Sequence, residues 1–173
     1  MQRIVGFDPI VHGDDTVLIV GSMPSVVSLQ QMMYYANPTN RFWPLLTELF
    51  QKPTDTTEQK YLILEYAGIA LWDICHSCIR KNSADATIKE VKPNNIPELL
   101  KNNPSIQTIV CNGKTSYNTL KKYFPELAAK VVVCPSTSAA NARFRFNDLL
   151  REYGKVLGGS YEKNLLGKSK AGG

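Results

Sequence analysis

Four short apolar runs decide what this chain can fold into: "TVLIV" (16–20), "IALWDI" (69–74), "TIVCN" (108–112) and "KVVVC" (130–134). They are β-branched and nearly continuous, without the alternation of a strand that faces water. Strands covered on both faces read this way, as in a parallel sheet buried under helices. Helical patterns lie between and after them: "NRFWPLLTELFQ", "TTEQKYLILEYA", "NIPELLKN", "KTSYNTLKKYF" and "ANARFRFNDLLREYGKVLG". The expected fold class is α/β, a three-layer α/β/α sandwich with a central four-stranded parallel sheet.

A chain of 173 residues is the length of one domain. We expect a single domain over 1–157 and a flexible tail over 158–173, where "GGSYEKNLLGKSKAGG" is rich in Gly, Ser and Lys. No apolar run approaches the roughly 20 residues that cross a bilayer. The start "MQRIVGFDPIVHGDD" lacks a charged-then-apolar leader, so a cytoplasmic protein is expected. The net charge of +5 suits an anionic partner.

The first, third and fourth runs pass into "GSMPS", "NGKTS" and "PSTSAANA". In a parallel sheet these loops share the carboxyl edge, where open α/β folds bind ligands. "NGKTS" lacks the upstream glycine of a phosphate loop, since Thr108 stands there. It reads as a strand-to-helix turn hinged at Gly113, with a phosphate contact through backbone amides still open. "PSTSAANARFR" carries more hydroxyls and amides than one helix cap needs, and such groups hold a phosphodiester in register.

Cys75, Cys78, Cys111 and Cys134 have no metal-ligand spacing beyond "CHSC", and they read as small buried side chains. His12 and His76 are the only histidines, neither suggestively spaced from Ser22 or Ser136, so a Ser-His-Asp hydrolase is disfavoured. Two rival readings remain at this level. One is a non-catalytic, flavodoxin-like module for phosphate or nucleotide; the other is a small esterase using Ser22.

Taken in order, "GSMPS", "YYANPTNRFW", "GIALWDICHSCIRKNSADATI", "NGK" and "CPSTSAANA" resemble the uracil-DNA glycosylase superfamily, most closely its hypoxanthine-DNA (deoxyinosine) glycosylase branch. The mismatch-specific uracil/thymine enzymes come next. The resemblance runs to about Leu157. It implies a monofunctional DNA glycosylase of base excision repair, taking deaminated bases, hypoxanthine first and uracil second. The base would be flipped from the stack and its N-glycosyl bond hydrolysed.

Carried over by position, the resemblance makes Asn40 the residue that orients water. Tyr35 becomes the platform for the flipped base, and Gly21, Ser22 and Met23 the base pocket. Ser136, Thr137, Ser138 and Asn141 hold DNA beside the lesion, and Gly113 and Lys114 contact a flanking phosphate. The expected partner is DNA containing deaminated bases, bound by a monomer, with no cofactor and no metal. Three positions depart from the branch: Ser25 and Asn37 replace glycine and histidine, and Ala139 replaces proline. Asn37 therefore enters as a second catalytic amide, a rival or helper for Asn40.

Overall fold

A computed structural model describes residues 2–158. Its elements run β1 (Ile4–Val5), β2 (Val17–Gly21), α1 (Val26–Gln31), α2 (Phe42–Phe50), α3 (Thr57–Ala67), β3 (Ile69–Asp73) and β4 (Cys75–Ile79). Then come β5 (Lys89–Pro93), α4 (Ile96–Asn102), β6 (Thr108–Asn112), α5 (Lys114–Tyr123), β7 (Val131–Cys134) and α6 (146–158). The four apolar runs are β2, β3, β6 and β7, parallel throughout and ordered β3-β2-β6-β7.

The absence of alternation in these runs has its cause in the layers. Val17 and Ile19, with Ile69, Leu71 and Val110, pack beneath Phe42, Leu46, Ile63 and Tyr153. Leu18 and Val20, with Ala70, Ile109 and Cys111, pack against Ile96, Leu99 and Leu120. Each fully buried aliphatic side chain contributes about 1.5–3 kcal/mol relative to exposure. The central strand is therefore apolar at every position. Helix α2 is a core element, burying Phe42, Trp43, Leu45, Leu46, Leu49 and Phe50.

The chain runs from β2 to β3 on one side and returns through β6 to the other, placing a crevice at the carboxyl ends of β2 and β6. Beside it stands a second, antiparallel sheet, β1-β4-β5, which the sequence reading lacked. β4 begins one residue after β3, and the N–H groups of Ile74 and Cys75 donate to the carbonyls of Gly21 (2.8 Å) and Ser22 (3.0 Å). This hairpin returns through residues 80–88 and so hangs that segment over the carboxyl edge.

One local expectation is corrected. "ANARFR" is a loop, and α6 starts only at residue 146. Residues 137–144 are tied down by Arg41, and Asp148 accepts the Arg145 N–H (2.9 Å) at the helix start. Helix α1, opened as expected by the loop after β2, is six residues long and is capped by Ser25, whose Oγ accepts the Ser28 N–H (3.1 Å). All four cysteines are buried free thiols, with Cys134 on the opposite side of the sheet from the other three. The expected tail, 158–173, lies outside the described residues except for Gly158.

Candidate active site

A cavity of about 710 Å³ opens at the carboxyl edge. Such a volume is in the range of small-ligand sites, roughly 300–1,000 Å³. Its walls come from the ends of β2, β3 and β6 and from the loops after β2, before α2 and after β7. Gly21, Ser22, Met23, Tyr35, Asn37, Asn40, Ser136, Thr137, Ser138 and Asn141 all line it. Gly113 and Lys114 do not.

Asn40 sits at the end of a hydrogen-bond chain whose direction is fixed. Asn112 Oδ1 accepts the Thr137 backbone N–H (3.0 Å), so its Nδ2 donates to Thr137 Oγ1 (3.0 Å). The Thr137 hydroxyl then donates to Asn40 Oδ1 (2.9 Å), which also accepts the Phe42 N–H (2.9 Å). Both lone pairs of that oxygen are engaged. The Asn40 side chain therefore offers the cavity its NH2 group, and its oxygen is spent on holding position.

Asn37 has a different occupation. Its Oδ1 accepts the N–H (3.0 Å) and hydroxyl (2.8 Å) of Thr39, and its carbonyl accepts the Asn40 N–H (2.9 Å). This Asx turn, of a kind short amides favour, bends the chain into Asn40. Removing it costs about 0.5–1.5 kcal/mol of loop order. We expect Asn37→Ala to slow base release only several-fold, measured in single turnovers.

Tyr35 stands at φ 54, a conformation a bulky residue adopts only when its surroundings impose it. The constraints are visible. Phe42 packs against its ring at 4.2 Å between centroids, while Tyr34 and Ala36 on either side are pinned to Asp8, Trp43 and Ser28. With Phe42 behind it, the ring forms a rigid wall. Burial, then Asp73, holds the buried Tyr35 hydroxyl protonated, against the opposing pull of Asn112.

Gly21 ends β2 where no side chain fits: a Cβ there would lie 2.4 Å from Asp73 Oδ1 and 2.9 Å from Tyr35 Oη. Gly21→Ala should displace both groups, destabilise the fold by about 1–3 kcal/mol and abolish activity. Thermal melting and single-turnover assay of one preparation check this. Gly113 is a second close approach, at φ 99, with a Cβ that would meet Ser136 Cβ at 3.1 Å. Its N–H already donates to the Cys134 carbonyl (2.9 Å), so it braces the 135–141 loop.

In that loop Ser136 Oγ accepts the Ser138 N–H (3.2 Å) and Ser138 Oγ accepts the Ala140 N–H (3.2 Å), while Asn141 Nδ2 donates to the Ser136 carbonyl (3.0 Å). Each serine keeps a hydroxyl proton for an outside acceptor. Arg143 and Arg145 are exposed just beyond. Arg41 holds the whole segment: its guanidinium donates to the carbonyls of Thr137 (3.2 Å), Ser138 (2.7 Å), Asn141 (3.2 Å) and Phe144.

Sequence reasoning missed Asp73, Asp85 and Asn112, all of which line the cavity. Asp73 is 3% exposed, and its Oδ2 is buried without a partner. Burial first, then the neighbouring Asp85, lifts its carboxyl to about 7 against the pull of Arg80. Asp85, on the 80–88 segment, accepts a hydrogen bond from Ser22 Oγ (3.3 Å). Ser22 thus faces a carboxylate, and neither histidine lines the cavity, so a Ser-His esterase has no base here. The signal for Asp73 was present: an acid inside the apolar run "IALWDI" is a buried charge.

A doubly covered parallel sheet carries at its switch point a cavity walled by a fixed ring, amides and the carboxyls of Asp73 and Asp85, the layout of an open α/β fold that binds its ligand at the carboxyl edge. The chain belongs to the uracil DNA glycosylase superfamily, whose sequence profile matches residues 9–157. It is accordingly a DNA glycosylase, a hydrolase of N-glycosyl bonds. Two curated relatives are both called hypoxanthine DNA glycosylase. The one from Methanosarcina acetivorans is 31% identical over 82% of this chain and 90% of its own; that from Methanosarcina barkeri is 30% identical over 80% and 88%. An NMR solution structure from Methanosarcina acetivorans, described as a candidate uracil DNA glycosylase, superposes with a TM-score of 0.77 at 30% identity. The match covers 90% of this chain and 97% of that one.

Proposed function

We propose that this glycosylase acts as a monomer on DNA containing deaminated bases, releasing hypoxanthine first and uracil second. The nucleotide flips into the 710 Å³ cavity and its base stacks on Tyr35. The observation that carries this reading is the Asn112–Thr137–Asn40 chain, which leaves an amide NH2 directed at the substrate.

As the N-glycosyl bond breaks, the sugar acquires oxocarbenium character, and water is needed only as a positioned nucleophile. The Asn40 NH2 donates to the water oxygen and holds it on the sugar without titrating. No lysine stands in 21–25 or 33–43, so the product is an abasic site with no lyase step. Deamination leaves a carbonyl beside a ring N–H, in hypoxanthine as in uracil. A site built to pair with that edge discriminates strongly against a base that leaves its buried groups unpaired. The hydroxyl protons of Ser136 and Ser138 face the flanking phosphates.

Labelled duplexes carrying a single inosine or uracil, incubated with excess enzyme and treated with alkali, test the reading. Strand breakage at inosine, faster than at uracil, is expected. No breakage at either base overturns it.

A further inference from the structure

Water attack leaves a proton to dispose of, and Asn40 cannot take it. As a lone pair of the water oxygen forms the bond to the anomeric carbon, that oxygen carries a hydrogen it must lose. Asn40 Oδ1 already accepts from the Thr137 hydroxyl and the Phe42 N–H. Asn37 Oδ1 accepts twice from Thr39, and Asn112 Oδ1 accepts from the Thr137 N–H. Of the residues that line the cavity, only Tyr34, Tyr35, Asp73 and Asp85 have titratable side chains. Burial holds both tyrosines protonated. Asp73 is 3% exposed, and its Oδ2 is sealed from solvent. That leaves Asp85, which reaches the cavity from the 80–88 segment and stands open to solvent. Its Oδ2 accepts the Ser22 hydroxyl (3.3 Å), while no hydrogen bond from the described residues ends on Oδ1.

We propose that Asp85 is the general base of the hydrolysis: its Oδ1 takes the proton of the water that Asn40 holds, and the Ser22 hydroxyl fixes the carboxylate through Oδ2. The C1′–N electron pair leaves with the base, a water lone pair forms the C1′–O bond, and the water proton passes to Asp85. The base departs as an anion and is reprotonated from solvent, to which Asp85 returns its proton. Asp85 is thus a catalytic residue, and Ser22 a positioning residue that acts through it. This proposal rests on the glycosylase reading and assigns the proton acceptor within it.

The charged and titratable groups facing Asp85 are Arg80 from its own segment, Asp73 from the end of β3, Tyr35 from the loop before α2, and Cys75 and Cys78 from β4. Burial holds Tyr35 protonated, pushes the Cys75 thiol up to about 12 and raises that of Cys78. Asp73 is lifted to about 7 by burial first and then by the charge of Asp85, so it ionises after Asp85. Although Asp85 is open to solvent on one side, desolvation raises its carboxyl above the ordinary aspartate range, against the Ser22 hydrogen bond and Arg80. A base must be ionised, so release is complete above the Asp85 pKa and lost as pH falls through it.

The test is single-turnover release from an inosine duplex by wild type, Asp85→Ala and Ser22→Ala across pH, with sodium formate as a small external base. Asp85→Ala should fold, since the Ser22 contact is the side chain's hydrogen bond to the described residues. It should keep duplex binding while release falls on the order of 10²–10⁴-fold, the span of a positioned general base. Formate should raise its rate about tenfold or more and leave wild type unchanged, an effect that lost packing does not produce. Ser22→Ala keeps the base but loses the hydrogen bond that favours its charged form, so the acid limb should move to higher pH. Asp85→Ala that releases base within about tenfold of wild type overturns the proposal. So does folded Asp85→Ala whose loss formate does not relieve, or a wild-type profile without an acid limb. Should Asp85→Ala fail to fold, the Ser22→Ala limb decides: a limb that stays or moves to lower pH overturns the proposal. Failure of wild type to release the base at any pH would instead reject the glycosylase reading on which this rests.

Discussion

Asn40→Ala is expected to lower single-turnover base release on the order of 10²–10³-fold, the effect of deleting one preorganised donor beside a transition state. Binding to an inosine duplex should persist, since Ser136, Ser138 and the exposed Arg143 and Arg145 are untouched. The substitution also removes the acceptor for Phe42 N–H and the end of the Thr137 chain, a structural loss of about 1 kcal/mol. A loss of that size accounts for a few-fold in rate and not for hundreds. Measuring rate, binding and melting on one preparation separates the two roles. Release within tenfold of wild type would remove Asn40 from the mechanism.

The second large effect is structural. Arg41→Ala strips four backbone carbonyls of a charged donor and frees the 137–144 loop. Water can re-solvate some of these carbonyls, so the net loss is about 2–4 kcal/mol, below the sum of four charge-assisted bonds. For a chain of this length that lowers the melting temperature by roughly 5–15 °C. DNA affinity and base release should fall together, because Thr137 supplies both loop and catalytic chain. Arg41→Lys should recover little, since a point charge cannot span carbonyls that a planar guanidinium reaches at once. Differential scanning calorimetry of the three proteins checks this, and a lysine variant melting like wild type would contradict it.

The layers of the fold were legible in the sequence because burial on both faces leaves a one-dimensional trace: an apolar run with no alternation. The same reasoning reached the loops after β2, β6 and β7, where glycine and hydroxyls mark an abrupt stop. It failed at the end of β3. There the chain continues from Asp73 into Ile74 and β4 with no turn residue, so nothing marked the carboxyl edge. The antiparallel sheet was hidden for a related reason, its strands being short and interrupted by irregular register.

The division of work between the two amides also required three dimensions. Asn37 and Asn40 look equivalent in "ANPTN" and both line the cavity; only their partners separate a turn former from the end of the Asn112–Thr137 chain. Gly113, expected at a flanking phosphate, also braces the loop after β7, a packing role the sequence did not reveal. Arg41 was quoted in the sequence motif but given no role, since its four acceptors lie about a hundred residues downstream.

The most direct test of the central claim is chromatographic and mass-spectrometric identification of what leaves an inosine-containing duplex at enzyme excess. Free hypoxanthine, in amounts matching the abasic sites formed and lost in Asn40→Ala, is the expected result. Release of a nucleoside or nucleotide, absence of any free base, or equal hypoxanthine from Asn40→Ala would contradict it.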